Sequence, residues 1–246
     1  MKVRFDATGD VVVITGGANG IGRALALAVS AAGGRAVVCD MDEKALSDLA
    51  AEDEAIAVRK LDVSDRQAVF CVFGDIEREY GRIDALVCGA AIQPRTAIHD
   101  MAPQEWQKVV AVNLNGVVWC YQAAILGMIS RRRGSVLAFS SGLAHQGWAQ
   151  AAAYASTKAA LIAFLKSAAK EVVEHRVRVN VVWPGVIDTP QYRAANPGEQ
   201  NDSWKQTLGV GSPSDVVGPL MYLLSDAATM TGSILSRDMA YSRDSD

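Results

Sequence analysis

The chain has 246 residues, half of them hydrophobic, which is enough apolar material for a large core and an ordinary length for one α/β domain. Its formal net charge is −3 with acidic and basic residues intermixed, so neither nucleic acid nor an anionic membrane surface is an expected partner. No group of His, Cys and carboxylate residues has the spacing of a metal site, so no metal is expected.

Apolar runs of strand length alternate with helical patterns along the chain. The runs are rich in Val and Ala without strict polar alternation, which is typical of parallel strands covered on both faces. Strands are predicted at Val11–Thr15, Ala36–Asp40, Ala55–Leu61, Ala85–Cys88, Ser135–Phe139, Val177–Val182 and, more weakly, Ser233–Leu235. Helices are predicted at Ile21–Ala32, Glu43–Ala51, Arg66–Tyr80, Pro103–Ser130 (two helices), Ala152–His175 and Ser214–Ser225.

This alternation predicts the α/β class: a single doubly wound Rossmann-type domain over residues 1–246. Right-handed crossovers would place helices on both faces of a parallel sheet of about seven strands.

Cysteine use and the N-terminus indicate a cytoplasmic protein. The cysteines are Cys39, Cys71, Cys88 and Cys120. They form no Cys-x-x-Cys pair, so we expect reduced thiols in the core. The first residues lack an apolar signal region. Val109–Ser130 is uncharged and long enough to span a bilayer, but polar residues and a glycine interrupt it, so a buried helix is predicted instead.

A glycine-rich turn follows the first predicted strand and opens the first helix. It reads Thr-Gly-Gly-Ala-Asn-Gly-Ile-Gly over residues 15–22. In this context backbone N–H groups and a helix N-terminus approach a pyrophosphate, although the spacing is G-x-x-x-G-x-G and not the more familiar G-x-G-x-x-G. The residues expected to contact a dinucleotide here are Gly16, Asn19, Gly20, Ile21 and Gly22.

The end of the second strand bears on the choice of dinucleotide. Asp40 lies eighteen residues after Gly22, where a carboxylate accepts hydrogen bonds from an adenosine ribose and repels a 2′-phosphate, so NAD is favoured over NADP. Arg23 and Arg35 are the cations that would favour NADP. An ordinary strand-end cap is the alternative interpretation of Asp40.

A possible catalytic group lies between the fifth strand and the helix that follows. Tyr154 and Lys158 are four residues apart, on one face of a predicted helix. Ser141 stands thirteen residues before Tyr154, at a strand end. A phenol with a pKa near ~10 is a poor base. A lysine cation about 4 Å away, at an effective dielectric of roughly 20, would favour the phenolate by about 4 kcal/mol, or about three pKa units. Tyr154 could then exchange a proton while Ser141 holds the substrate oxygen.

With the glycine-rich turn and the Ser141, Tyr154 and Lys158 group, the chain resembles the short-chain dehydrogenase/reductase family over nearly its full length. The resemblance implies that Tyr154 is the acid/base, that Ser141 orients the substrate oxygen, and that Lys158 binds the nicotinamide ribose and lowers the tyrosine pKa. Asn113, in Val-Asn-Leu-Asn-Gly, corresponds to a fourth catalytic residue that holds a water linking the lysine to solvent.

The resemblance also implies further cofactor contacts. Asp62 and Val63, after the third strand, correspond to an adenine contact. The segment from Pro184 to Thr189 corresponds to the one that binds the nicotinamide carboxamide, mainly through the Ile187 backbone and Thr189, with Pro184 and Gly185 beside them.

Three stretches depart from the family pattern. The usual Asn-Asn-Ala-Gly reads Cys88-Gly89-Ala90-Ala91: Gly89, still expected at the cofactor, has no amide side chain, and Ala91 adds a methyl group. The usual Asp-Gly-Gly reads Asp238-Met239-Ala240, and a polar tail (239–246) follows. The substrate loop (186–212) is rich in Asn, Gln, Pro and Gly, which predicts a mobile loop instead of helices.

Residues near the strand ends and in the substrate loop are expected to line the substrate pocket. They are Gln93, Leu143, His145, Trp148, Val186, Gln191, Tyr192 and Trp204. Three of them are Trp or Tyr, which favours an apolar or ring-bearing alcohol. For His145, a pocket wall or loop position is preferred over a second acid/base role.

Two helices bear on assembly. Val117–Ile129 and Ala152–Ala169 are apolar on more than one face, which indicates deep burial or contact with another chain. Family members usually pair these helices in tetramers, so a homotetramer (or dimer) is expected.

The sequence therefore predicts an NAD(H)-dependent oxidoreductase that moves a hydride between nicotinamide and a secondary alcohol or ketone. Two alternatives stay open. One is a catalytically silent nucleotide-binding regulator or scaffold, suggested by the Cys88–Ala91 turn. The other is an NADP-linked carbonyl reductase.

Overall fold

The structure, a computed structural model, describes residues 3–197 and 210–237. Its centre is one sheet of seven parallel strands in the order β3-β2-β1-β4-β5-β6-β7. The strands are β1 (Val11–Thr15), β2 (Arg35–Asp40), β3 (Ala57–Lys60), β4 (Ala85–Cys88), β5 (Gly134–Phe139), β6 (Val177–Trp183) and β7 (Ile234–Ser236). The strand order reverses between β1 and β4, and such a switch point opens a crevice at the carboxyl ends of the strands.

Helices connect the strands and cover both faces of the sheet. They are α1 (Gly20–Ala31), α2 (Glu43–Glu52), α3 (Arg66–Tyr80), α4 (Pro103–Val110), α5 (Gly116–Arg131), α6 (Leu143–Gln146), α7 (Ala152–Val172), α8 (Pro190–Ala195) and α9 (Ser214–Leu224). A π-helical stretch, Ala111–Asn115, joins α4 to α5, and a 3₁₀ turn, Val173–His175, follows α7.

Local sequence explains where several helices begin and end. The Asp42 carboxylate accepts a hydrogen bond from the Ala45 N–H at the start of α2, and Asp65 caps α3 in the same way. Gly81, with φ +75°, ends α3 in the left-handed region that glycine adopts without strain.

The core has two layers, one on each face of the sheet. Neighbouring residues of β5 divide between them: Val136 packs into the layer that contains Phe73 of α3, and Leu137 into the layer that contains Leu25 of α1. This arrangement confirms the predicted doubly wound class, with helices on both faces.

The long apolar stretch Pro103–Arg131 is, within the described residues, the one helical segment with the length and composition of a membrane span. In the structure it is divided into α4, the π-helical stretch and α5. The side chains of Val117, Cys120, Ala124 and Met128 are buried in the core, as expected for a helix that covers a sheet.

The structure corrects two predictions and leaves two outside its range. A helix, α8, occupies Pro190–Ala195 within the predicted mobile loop: proline stands at its first position and the Thr189 hydroxyl accepts a hydrogen bond from the Tyr192 N–H (3.1 Å). Cys71 is exposed on α3, whereas the other three cysteines are buried free thiols. Trp204 and the tail (239–246) lie outside the described residues.

Candidate active site

The carboxyl ends of the central strands open into one cleft of about 710 Å³, within the range of roughly 300–1,000 Å³ that is usual for ligand sites. Every residue expected to contact the dinucleotide lines this cleft. These are Gly16, Asn19, Gly20, Ile21, Gly22, Asp40, Asp62, Val63, Gly89, Tyr154, Lys158, Pro184, Gly185, Ile187 and Thr189. Ser141 lines it as well.

Two hydrogen bonds at one residue fasten α7 to the end of β5. The Lys158 ammonium donates to the backbone oxygen of Phe139 (2.8 Å), and the Ser140 hydroxyl donates to the backbone oxygen of Lys158 (3.0 Å). Both side chains are buried, with Lys158 only 4% exposed. The helix face that carries Tyr154 is thereby fixed against the strand end that carries Ser141.

Burial changes the pKa values of the Tyr154 phenol and the Lys158 ammonium. Burial raises the pKa of Tyr154 to about 12, against the hydrogen bond with Ser141 and the charge of Arg95, which both lower it. Burial also lowers the pKa of Lys158 to about 8. The Lys158 nitrogen lies 5.5 Å from the centre of the Tyr154 ring. We expected Lys158 to be the cation that lowers the tyrosine pKa, but in this structure that cation is Arg95.

Asn113 lies behind the cleft and does not line it. Its side-chain oxygen accepts a hydrogen bond from the Ile92 N–H (2.8 Å), and its amide nitrogen donates to the Ile92 backbone oxygen (2.9 Å) and to the Thr157 hydroxyl (3.3 Å). The residue is fully buried within the π-helical stretch. Asn113 therefore ties the loop after β4 to α7, and its role in holding a water stays a prediction.

The glycine-rich turn packs too tightly for other side chains. Gly16 and Gly20 have φ of +65° and +54°. A Cβ on Gly16 would lie 2.5 Å from the Ala90 nitrogen, and one on Gly20 would lie 2.9 Å from the Thr189 Cγ2. The turn thus contacts both the Cys88–Ala91 segment and the carboxamide segment, and it leads into the N-terminus of α1, the kind of backbone that fits a pyrophosphate.

The Cys88–Ala91 turn is itself closely packed. The Gly89 N–H donates to the Thr15 backbone oxygen (2.9 Å), and a Cβ on Gly89 would lie 2.8 Å from that oxygen. A glycine at this position therefore lets the ends of β1 and β4 meet at the floor of the cleft.

Asp40 both faces the cleft and holds the glycine-rich turn. Its two carboxylate oxygens accept hydrogen bonds from the backbone N–H groups of Ala18 and Asp42 (3.1 Å each). The strand-end cap considered as an alternative is therefore present. It is compatible with ligand binding, because each carboxylate oxygen has a second lone pair.

The substrate loop is closed at its base. Ile187 and Gly211 form an isolated parallel bridge, in which the Asp188 N–H donates to the Gly211 oxygen (2.8 Å) and the Gly211 N–H to the Val186 oxygen (2.9 Å). The first part of the loop, including α8, is thus held beside the cleft.

Most of the expected substrate residues line the cleft: Gln93, Leu143, Trp148, Val186, Gln191 and Tyr192. His145 is the exception. It is exposed on α6, and its ring stacks on Trp183 (centroids 5.1 Å apart, planes at 19°). His145 therefore supports the outside of the wall, and no acid/base role is assigned to it.

Among the lining residues that sequence reasoning missed are Arg95, Gln146, Trp183 and Asn196. Trp183 ends β6 and Arg95 stands in the loop that follows β4, so position after a strand end was a signal for both. The approach of Arg95 to Asn196, a hundred residues away in sequence, left no signal.

Comparisons with known proteins agree with this geometry. Residues 10–200 match the family described as short chain dehydrogenase. The chain is 32% identical to 3-oxoacyl-[acyl-carrier-protein] reductase FabG of Thermotoga maritima, covering 94% of this chain and 96% of the relative. It is also 32% identical to cis-4-hydroxycyclohexanecarboxylate dehydrogenase of Sinomonas cyclohexanicum, again over 94% and 96%. A solved short-chain type dehydrogenase/reductase from Mycobacterium marinum superposes with a TM-score of 0.89 at 31% identity, covering 95% and 96%.

The fold and the relatives define a class of oxidoreductases with a nicotinamide cofactor that act on CH–OH or keto groups. The chain belongs to the short-chain dehydrogenase/reductase family.

A pair of glycine substitutions tests the packing of the turn. Gly9 and Gly16 both have positive φ, but a Cβ on Gly9 would have no atom within 4 Å. Gly9→Ala should cost about 1–2 kcal/mol of unfolding free energy from backbone strain alone, and Gly16→Ala about 1–3 kcal/mol more from overlap with Ala90. Urea unfolding measures both; equal costs would contradict the close approach.

The buried lysine should make stability depend on pH. The Lys158 pKa falls from 10.5 in the unfolded chain to about 8 in the folded protein, so between these values the unfolded chain binds more protons and stability rises with pH. In cofactor-free protein, the free energy of unfolding relative to Lys158→Met should increase by at most about 3 kcal/mol from pH 8 to 10.5. Exposed Lys166, on the same helix, is the control: Lys166→Met should leave the pH slope unchanged. A wild-type slope shared by Lys158→Met would contradict the assignment.

Proposed function

We propose that the protein is an NAD(H)-dependent dehydrogenase/reductase that transfers a hydride between nicotinamide and the carbon of a secondary alcohol or ketone, with Tyr154 as the acid/base. The observation that carries the proposal is the convergence of Ser141, Tyr154 and Lys158 with the glycine-rich turn in one cleft. A dinucleotide and a small substrate could meet there at the phenol.

The cleft residues fit a nicotinamide dinucleotide, because the turn at Gly16 and Gly20 leaves no room for side chains where a pyrophosphate needs backbone N–H groups. In the proposed complex, Asp40 and Lys158 bind the two riboses and Asp62 and Val63 flank the adenine. Pro184, Gly185, Ile187 and Thr189 surround the carboxamide. The bound cofactor supplies the hydride acceptor or donor.

The chain's own groups handle the proton. Ser141 donates a hydrogen bond to the substrate oxygen. During oxidation Tyr154 takes the hydroxyl proton as its own phenolic proton passes on towards the neutral Lys158 amine, and reduction runs through the same transfers in reverse. With a pKa of about 8, Lys158 can exchange a proton near neutral pH, which makes it a suitable next group for proton relay. Asn113 ties the loop after β4 to α7 behind these groups. By resemblance to the family, it also holds a water that links Lys158 to solvent.

The charges around Asp40 support NAD over NADP. Arg23 forms an ion pair with Glu52. Arg35 begins β2, and its guanidinium donates to the Ala55 backbone oxygen (2.7 Å). Asp40 ends that strand, about 17 Å from Arg35 at roughly 3.3 Å per residue. Neither arginine is therefore available to bind a 2′-phosphate beside Asp40. A preference for NAD in turn favours the direction of alcohol oxidation.

The cleft wall supports an apolar or ring-bearing substrate. Leu143, Trp148, Val186, Trp183 and Tyr192 line it together, and aliphatic and aromatic side chains of this kind usually surround the apolar part of a ligand. One relative is named for a ring-bearing secondary alcohol, cis-4-hydroxycyclohexanecarboxylate.

The expected assembly is a homotetramer or dimer in the cytoplasm, without nucleic acid or membrane partners. Leu126 on α5 is 72% exposed and Trp106 on α4 is 38% exposed. Apolar side chains on these helices are the kind of surface that a second copy of the chain would cover.

An assay over a panel of alcohols tests the reaction and the acid/base together. Purified protein is mixed with NAD and aliphatic, cyclic and aryl secondary alcohols, and NADH formation is followed. Tyr154→Phe should lower kcat by about 10²–10⁴-fold, the usual contribution of general acid–base catalysis, while Tyr222→Phe, on the exposed face of α9, should leave it unchanged. NAD binding without turnover on any alcohol would favour the regulator alternative.

The cofactor choice is tested at Asp40. Losing the ribose hydrogen bonds should lower kcat/KM for NAD about 10–100-fold in Asp40→Ala, and removing the negative charge should improve the use of NADP. Asp42→Ala, which removes a neighbouring carboxylate outside the cleft, should leave the preference for NAD unchanged. An unaltered preference in Asp40→Ala would contradict the assignment.

A further inference from the structure

Arg95 lines the cleft and links two of its segments. It stands in the loop after β4, and its guanidinium reaches the end of α8, where Nε donates to the Ala195 backbone oxygen (3.0 Å) and Nη2 donates to the Asn196 side-chain oxygen (2.9 Å). Asn196 is held in turn, since its amide nitrogen donates to the Tyr192 backbone oxygen (2.8 Å). One edge of the guanidinium is therefore fixed by protein.

The other side of the guanidinium has no partner within residues 3–197 and 210–237. Nη1 of Arg95 is a buried nitrogen without a hydrogen-bond acceptor among the described residues. Three other buried side-chain atoms share this state, on Glu77, Arg131 and Arg178, but none of those residues lines the catalytic cleft. An unsatisfied buried donor costs about 1–3 kcal/mol, more when the group is charged, so this one calls for an explanation.

The backbone on both sides of Arg95 is fixed. Ile92 is held by both polar atoms of the Asn113 amide. The Thr96 N–H donates to the Gln150 backbone oxygen (3.1 Å), and its hydroxyl donates to Glu105 (2.6 Å). The guanidinium is thus presented by an ordered loop, which lowers the conformational cost of binding a ligand.

Arg95 also carries a charge that no described carboxylate neutralises by an ion pair. Glu105 is occupied by Thr96, and Asp188 pairs with Arg193. The charge is felt at the catalytic phenol, since it lowers the pKa of Tyr154. Arg95 and Tyr154 also line the same cleft, so one small molecule bound there could contact both.

We propose that Arg95 binds a carboxylate of the substrate, so that the protein acts on a hydroxy acid or the corresponding oxo acid. This inference rests on the proposed function and narrows its substrate class. Nη1 has no acceptor among the described residues and stands beside Nη2 on the planar guanidinium, which suits two parallel N–H···O bonds to a carboxylate.

The carboxylate takes no part in the bond changes. During oxidation the carbinol carbon loses a hydride, two electrons with one proton, to NAD, and the hydroxyl proton passes to Tyr154. The alcohol becomes a ketone and NAD becomes NADH, while the carboxylate stays bound to Arg95 and orients the carbinol carbon.

The kinetic test compares matched substrates. The panel contains 2-, 3- and 4-hydroxy acids on open-chain and cyclohexane frames, each with its neutral primary carboxamide and its phosphonate analogue. For wild type, the preferred acid should have a KM about 10–100-fold below that of its amide, as expected for hydrogen bonds to a charged group worth about 1.5–3 kcal/mol. Arg95→Gln should remove this difference in KM, and any change in kcat caused by losing the effect of Arg95 on the Tyr154 pKa should be the same for the acid and for its amide.

Two controls separate binding from support of α8. Arg95→Lys keeps the charge but not the planar fork, so it should retain part of the preference for the acid. Arg193→Gln removes a neighbouring arginine that lies outside the cleft and should leave the preference unchanged. Equal increases in KM for acid and amide in Arg95→Gln, or a wild-type preference for the amide or the phosphonate, would overturn the proposal.

A binding measurement keeps this result independent of turnover. Calorimetric titration of cyclohexanecarboxylate, which lacks the reacting hydroxyl, into NAD-saturated wild type should show binding that Arg95→Gln weakens at least tenfold. Such a result without oxidation of any alcohol would support the carboxylate site and count against the proposed reaction alone. Oxidation of neutral alcohols without any Arg95-dependent carboxylate binding would support the proposed reaction and count against the carboxylate site.

Discussion

The arrangement of the site depends on the attachment of α7 to the end of β5. Ser140 and Lys158 form reciprocal contacts there: the Ser140 hydroxyl bonds to the backbone oxygen of Lys158, and the Lys158 ammonium bonds to the backbone oxygen of Phe139. These bonds satisfy polar groups that the core would otherwise leave unpaired. They also set the position of Tyr154, one turn before Lys158, against Ser141. The same few hydrogen bonds thus pair the buried polar groups and position the residues proposed to be catalytic.

Burial of this attachment has an electrostatic consequence. The environment that excludes water favours the neutral forms of both groups, raising the pKa of Tyr154 and lowering that of Lys158. A neutral phenol next to a lysine that loses its proton easily is a pair suited to proton exchange in either direction. Arg95, which lines the same cleft from the loop after β4, adds a positive charge that lowers the pKa of Tyr154. The wall that is proposed to recognise the substrate therefore also influences the acid/base.

The glycines of the first turn show how the cofactor side is built. Gly16 contacts the segment after β4, and Gly20 contacts Thr189 before α8, so three separate strand ends meet around one turn. The Cys88–Ala91 segment differs from the family pattern, yet Gly89 packs directly on Thr15. Gly89 thus continues the contact between β1 and β4 at the floor of the cleft.

The sequence by itself determined the order of strands and helices, the glycine-rich turn and the Ser141, Tyr154 and Lys158 group. Each of these is encoded by local periodicity or short spacing, which are properties of neighbouring residues. Thr189 and Pro190 carried a local start signal for α8 that the composition of the loop outweighed. Only the tertiary structure decided that His145 stacks outside the wall and that Arg95 reaches Asn196. The pKa values of Tyr154 and Lys158 were likewise decided only by the tertiary structure. All of these depend on burial and on contacts between distant segments, and no local pattern in the chain records them.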